Sequence, residues 1–344
     1  MKKGLLIYPS NEEGIFNIGD YIQSIATRQF LGSVDEYINR EELNRERPDE
    51  VALIANGWYM HHPENWPPNN KIKPHYVALH INKLAEEILL SPKSINYFKQ
   101  HEPIGCRDYY TTKNLQDKGI NAYFSGCLTL TLGQTYRHSD VNKNSIVYFT
   151  DINTFVNRTR SFYLKCLHNL IVKFFLLKKI QNRFKEFGYN HSLEWIAAFY
   201  TTYSQVISDD LFLEAIYVRQ EIKDNFSSED EKFEYAHNLL TRYSEAKFVV
   251  TSRIHCALPC LAMGTPVLYV DNLNLGEIHN CRLDGLRELF HTIEINGNKV
   301  TCDLIKDGEK INRNFSFKNK NAHIQLAEDI SSSCIKFVEE INKA

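Results

Sequence analysis

An α/β protein of two Rossmann-like domains facing a cleft is the fold this sequence predicts. Apolar strand-like runs alternate with helix-like segments through most of the chain, which argues for parallel sheets with helices on both faces. The 344 residues exceed what one core commonly supports, since single cores rarely grow past ~250–300 residues. A polar stretch over residues 136–144 interrupts the alternation. The chain therefore divides into 1–142, 143–320 and a C-terminal helix within 321–344 that crosses back to the first domain.

The elements follow in order. Residues 4–8 predict a strand ending at Pro9, and a polar, glycine-containing loop leads to a helix over 20–31, with Tyr21, Ile22, Ile25, Ala26, Phe30 and Leu31 on or near one face. Strands are expected at 51–55, 76–81, 104–106 and 122–124, with helices at 95–100 and 110–118 between them. Beyond the boundary come a strand at 145–150, a long helix-prone region at 154–187 and a strand at 193–200. A helix at 229–246, a strand at 248–251, a helix at 254–263, a strand at 267–270 and a helix at 324–341 complete the pattern.

Composition narrows the function. A formal net charge of −2 gives nucleic-acid binding no support. The N-terminal apolar run is too short for a secretory signal, and no stretch approaches the ~20 apolar residues of a spanning helix. The eight cysteines are scattered. Cys256 and Cys260 lie in an apolar helix-like run, so they read as reduced thiols of a cytoplasmic protein rather than metal ligands.

Four segments carry polar residues where chemistry is expected. After the strand at 248–251, Ser252 suits a helix N-cap, with Arg253 and His255 in the first turn. A helix N-terminus favours a phosphate or carboxylate, Arg253 offers a bidentate fork, and His255 can donate to an anion or shuttle a proton. A surface arginine and a satisfied histidine is the plainer reading. In the loop Asn17-Ile18-Gly19-Asp20, Asp20 serves either as helix cap or as base for a hydroxyl, capping being the simpler on spacing. The stretch from Asn56 to Pro68 packs Trp58, His61, His62, Glu64 and Trp66 into a proline-stiffened loop, suited to a sugar face or to filling an apolar gap. Arg107 follows a short strand and either pairs with Asp108 or points into the cleft; His80 ends another strand. Residues 158–185 are basic and amphipathic without an acidic residue. Such a helix contacts an anionic membrane face or packs one side on its own domain.

At these motifs the chain resembles the polysaccharide pyruvyl transferase family, roughly from Asn17 to Val270. The resemblance rests on Thr251-Ser252-Arg253-Ile254-His255-Cys256-Ala257-Leu258-Pro259, on Asn17-Ile18-Gly19-Asp20, on Asn56-Gly57-Trp58, and on Gly105-Cys106-Arg107-Asp108 with Ser125-Gly126 downstream. It implies a fold like that of two-domain (GT-B-like) glycosyltransferases, with the first domain on the acceptor side and the second on the donor side. It also implies phosphoenolpyruvate as donor and a hexose acceptor, galactose or an N-acetylhexosamine, of a surface polysaccharide or its lipid-linked precursor. The product is a cyclic pyruvate ketal.

On this reading His255, Arg253 and Asp20 are catalytic, with His255 as proton donor or phosphate partner and Asp20 as base. Ser252, Arg107, Asn17 and Gly19 hold the donor. Asn56, Trp58, His61, His62, Glu64 and His80 hold the acceptor. No cofactor or metal is called for, and the place expected is the cytoplasm or the inner face of its membrane. A nucleotide-sugar glycosyltransferase and a non-catalytic glycan-binding subunit are the competing readings.

Overall fold

The computed structural model describes residues 1–59, 61–137, 144–152 and 159–343. The expected 142/143 boundary, Met60 and Arg158 lie outside them. The first half supplies β1 (Lys2–Ile7), β2 (Ile15–Asn17), β3 (Glu36–Asn39), β4 (Val51–Trp58), β5 (Ile72–His80), β6 (Ile104–Cys106) and β7 (Ala122–Phe124). All but β2 form a six-stranded sheet in the order β3-β1-β4-β5-β6-β7, parallel throughout. Its helices are α1 (Ile18–Leu31), α2 (Glu86–Leu89), α3 (Pro92–Lys99), α4 (Tyr109–Gln116) and α5 (Gly133–Tyr136).

The second half supplies β8 (Val147–Thr150), β9 (Ile216–Val218), β10 (Glu221–Lys223), β11 (Phe248–Thr251), β12 (Val267–Asn272), β13 (His291–Asn296) and β14 (Lys299–Cys302). Its sheet runs β14-β13-β12-β11-β8-β9, parallel except for the closing hairpin β13-β14. The helices are α6 (Arg160–Val172), α7 (Phe174–Glu186), α8 (Leu193–Tyr203), α9 (Asp209–Glu214), α10 (Glu229–Glu245), α11 (Ile254–Met263), α12 (Glu277–Asn280) and α13 (His323–Lys343).

Strand residues alternate between two apolar cores. Val249, Val267 and Tyr269 face a core that continues through α10 and α11 into the first sheet. Val250, Leu268 and Val270 face a second core with Leu177, Phe184 and Phe199. The halves are also stitched by β2 and β10, which pair antiparallel with Asn17 opposite Glu221. The last helix, α13, lies on the first half: Phe337 stacks on His75 at 5.0 Å, and Ser333 bonds His75 Nε2 at 2.9 Å.

One element differs from expectation. Residues 193–200 lie in α8, not in a strand. The Ser192 hydroxyl accepts from Trp195 N, and the buried Ile196, Phe199, Tyr200 and Tyr203 follow a three-to-four-residue spacing, so capping and periodicity both favour helix. The long basic region is two helices, α6 and α7, meeting at Lys173.

Candidate functional site

The ends of parallel strands are where loops gather polar side chains in such sheets. β4 delivers Trp58, β5 delivers His80, and β6 passes directly into Arg107 and Asp108. From the second sheet, β11 runs into Ser252 and Arg253, and α11 opens with His255 in its first turn. Two glycines permit the close approach of these parts. A Cβ on Gly19 would lie 3.0 Å from the His255 Cβ, so any larger residue would push α1 and α11 apart by a few tenths of an ångström. Gly57 has φ of +104° and lies against the Gln23 amide, beside a register shift in β4.

The electrostatics centre on two imidazoles and three guanidinium groups. His80 Nδ1 meets Asp108 Oδ2 at 2.6 Å, with both side chains fully buried. A carboxylate can only accept, so Nδ1 carries the proton and Nε2 is left a bare acceptor. Burial first, then Arg107, pushes the His80 imidazole down to about 4, against the pull of Asp108. Burial also holds His255 far below the ordinary imidazole range, with Arg107, Arg282 and Arg253 adding to it. The Asp20 carboxyl moves the other way: burial raises it, while Arg40, His61 and Arg107 oppose the shift.

Buried polar atoms normally have partners, so clustered exceptions mark a site. Among the described residues nine buried side-chain nitrogen or oxygen atoms lack one. Six belong to this locale: Gln23 Oε1, Trp58 Nε1, His80 Nε2, Arg107 Nε, His255 Nε2 and Arg282 Nε. Backbone strain falls in the same place. Among the described residues the non-glycine positions with positive φ are Ala78 (+59°), two residues before His80, and Asp151 (+42°), whose carboxylate bonds Arg253.

Arg253 is anchored rather than loose. Its Nε meets Asp151 at 3.0 Å, and its Nη1 meets Glu221 at 2.8 Å. With Arg282 it lines a cleft of about 970 Å³ that extends along the second sheet to Tyr189, His191, Trp195 and Phe199. His191 stacks on Trp195 at 3.6 Å, and the Arg219 guanidinium lies 3.9 Å over the Tyr189 ring.

Several expected roles change. Arg253, not Ser252, occupies the N-cap of α11, and the Ser252 hydroxyl donates to the Asp151 carbonyl instead. Asn17, not Asp20, caps α1 by accepting from Gly19 N at 3.0 Å. Asp20 faces Gln23 at 3.1 Å and Arg40 at 3.7 Å. Arg107 does not pair with Asp108, whose oxygens are taken by His80 and by the amide of Thr111. The aromatic loop divides: Trp66 fills the core against Tyr59, Tyr76 and Phe98, while Trp58 stacks on His61 at 5.6 Å and meets the His80 ring edge-on. His62 and Glu64 pair with each other on the exposed surface. Asn56 is wholly buried beneath Thr27 and Gln23.

Arg282 and the aromatic cleft wall escape sequence reasoning. Arg282 sits in a single-turn 3₁₀ helix, Cys281–Leu283, and Trp195 lies in the stretch expected as a strand. All eight cysteines are buried and none forms a disulfide. No helix among the described residues is long and apolar enough to cross a membrane. The family model described as polysaccharide pyruvyl transferase matches residues 17–274. A search of curated proteins finds no match.

Proposed function

Since the chain belongs to the polysaccharide pyruvyl transferase family and is therefore a transferase, we propose that it moves the pyruvyl group of phosphoenolpyruvate onto a hexose and closes a cyclic ketal. The observation that carries this is the convergence of Arg107, Arg282, His80 and His255, each with a buried unpartnered nitrogen, at the strand ends. A small, highly charged anion answers that arrangement, because guanidinium groups bind phosphate and carboxylate strongly where water is excluded.

The chemistry follows from the charges. Arg107, Arg282 and Arg253 hold phosphate and carboxylate. The anion cancels the arginine field that adds to burial in depressing His255, so donor binding raises its proton affinity and prepares it to protonate the methylene carbon. C2 then becomes electrophilic. His80, fixed by Asp108, takes the proton of the first sugar hydroxyl as that oxygen bonds to C2. Phosphate leaves with the C–O bond electrons, eased by the arginines. The second hydroxyl bonds to C2 and gives its proton to Asp20 or to the departing phosphate. His191, backed by Trp195, and Trp58 offer faces for the sugar ring. The two sheets act as facing domains, with the acceptor lipid-linked.

Incubation with phosphoenolpyruvate and a panel of aryl or lipid-linked galactosides and N-acetylhexosaminides tests the reading. A product heavier by one pyruvyl ketal, with one phosphate released, is expected. Transfer from a nucleotide sugar without consumption of phosphoenolpyruvate would overturn it.

A further inference from the structure

The outer face of α6 and the start of α7 has a composition that the fold itself does not use. In α6 only Phe162 and Cys166 are buried. Tyr163, Leu164, Leu167, Ile171, Val172 and Phe175 are exposed, Ile171 at 72% and Phe175 at 81%. Isolated exposed apolar residues are ordinary, but a cluster this dense marks a surface that meets something apolar.

The charges say what that is. Arg160, Lys165, Lys178 and Lys179 border the apolar residues and are all exposed. No aspartate or glutamate occurs from 158 to 185. A protein partner or a second copy of this chain would present mixed charge, and two such basic faces would repel. An anionic lipid surface matches both halves of the pattern, with aromatic and aliphatic side chains entering the headgroup boundary and lysines meeting the phosphates.

We propose that this face seats the enzyme on an anionic membrane surface. The placement relates to the site. α6 packs on α8, where Asn169 bonds Thr201 at 2.9 Å, and α8 supplies Trp195 and Phe199 to the cleft. One helix layer, ~10 Å, thus separates the lipid-facing surface from the cleft wall. On the reading that the acceptor is a lipid-linked sugar, this brings its headgroup to the cleft mouth.

The test is co-sedimentation of the full chain with phosphatidylglycerol–phosphatidylcholine vesicles, beside pure phosphatidylcholine vesicles. Binding to the former alone is expected, weakened by salt. The double variant Ile171→Glu/Phe175→Glu, at exposed positions, should weaken binding by about tenfold or more. Each of Lys165→Gln, Lys178→Gln and Lys179→Gln should weaken it about fivefold. Equal binding to both vesicle types, no binding, or a wild-type oligomer that the double variant dissolves would overturn the proposal. Turnover of a soluble aryl glycoside, read without vesicles, should be unchanged in the double variant. Failure of the membrane face is thereby separable from failure of the pyruvyl-transfer reading.

Discussion

Asp108→Asn tests the assignment of His80 as the base. The wild-type carboxylate is wholly buried and splits its oxygens, one to His80 Nδ1 at 2.6 Å and one to the Thr111 amide at 2.8 Å. Asparagine keeps an oxygen for the helix cap, a contact worth ~1 kcal/mol. Facing His80 it presents an NH₂ group, so a charge-assisted bond worth ~1.5–3 kcal/mol gives way to a neutral one worth ~0.5–1.5. The stability loss should be about 1–2 kcal/mol, readable by urea melts followed by circular dichroism. The effect on turnover should be far larger. The amide donates to Nδ1, the imidazole proton moves to Nε2, and the nitrogen that should accept a hydroxyl proton is blocked. Loss of a general base in this way costs ~10²–10⁴ in kcat. Phosphate release at saturating phosphoenolpyruvate and acceptor measures it, and the KM for phosphoenolpyruvate should hold. His80→Gln should show the same loss, and the double variant little more. Folded Asp108→Asn protein with kcat within a few-fold of wild type would refute the dyad's role.

Other outcomes follow from the same charges and packing. Arg107→Met removes a guanidinium whose charge reaches both imidazoles; kcat/KM for phosphoenolpyruvate should fall about 10²-fold, and an unchanged value in phosphate-release kinetics would remove Arg107 from the donor site. Trp195→Ala should raise the acceptor KM about tenfold with little change in the KM for phosphoenolpyruvate, so equal effects on both would assign Trp195 a purely structural role. His80 and His75 are each pushed down to about 4 by burial from an ordinary value of 6.5. The unfolded chain therefore binds more protons between those limits, and stability that is full above pH ~6.5 should be lost as pH falls to ~4, by up to about 3 kcal/mol per group at ~1.4 kcal/mol per pH unit. Melting curves across that range measure it; for His80→Gln the slope should be shallower, and an unchanged slope would contradict its burial as a neutral ring.

What the sequence reveals depends on how local the cause is. β1, β4, β11 and β12 are legible because parallel strands buried on both faces read as unbroken apolar runs. The turn from Thr251 to His255 is legible because strand, polar turn and apolar helix lie in one short stretch. β2, β3 and β10 are three or four residues long and mix polar with apolar residues, so no apolar run marks them. The hairpin β13-β14 did carry a signal, Asn296-Gly297 between strand-like residues, and Gly297 takes the positive φ such a turn needs. Within the site, Arg253 and His255 stand in a recognisable motif, but their partners do not. Asp151 and Glu221 reach Arg253 from distant segments, and His80 meets Asp108 across neighbouring strands. Such pairs exist only once the sheets assemble, so residue types and spacings could not separate Arg107 paired with Asp108 from Arg107 facing the cleft.

The short ribbon of β2 and β10 sets the order in which the molecule can be completed during synthesis. The segment that caps α1 must wait for Glu221 to leave the ribosome before it finds its partner strand, and α10 and α11, which pack on α1, and α13, which packs on β5, arrive later still. Until then the outer side of α1 and the part of β5 that those helices cover have nothing to lie against. Nascent chains of this protein should therefore lean on holding chaperones until α10, α11 and α13 have emerged.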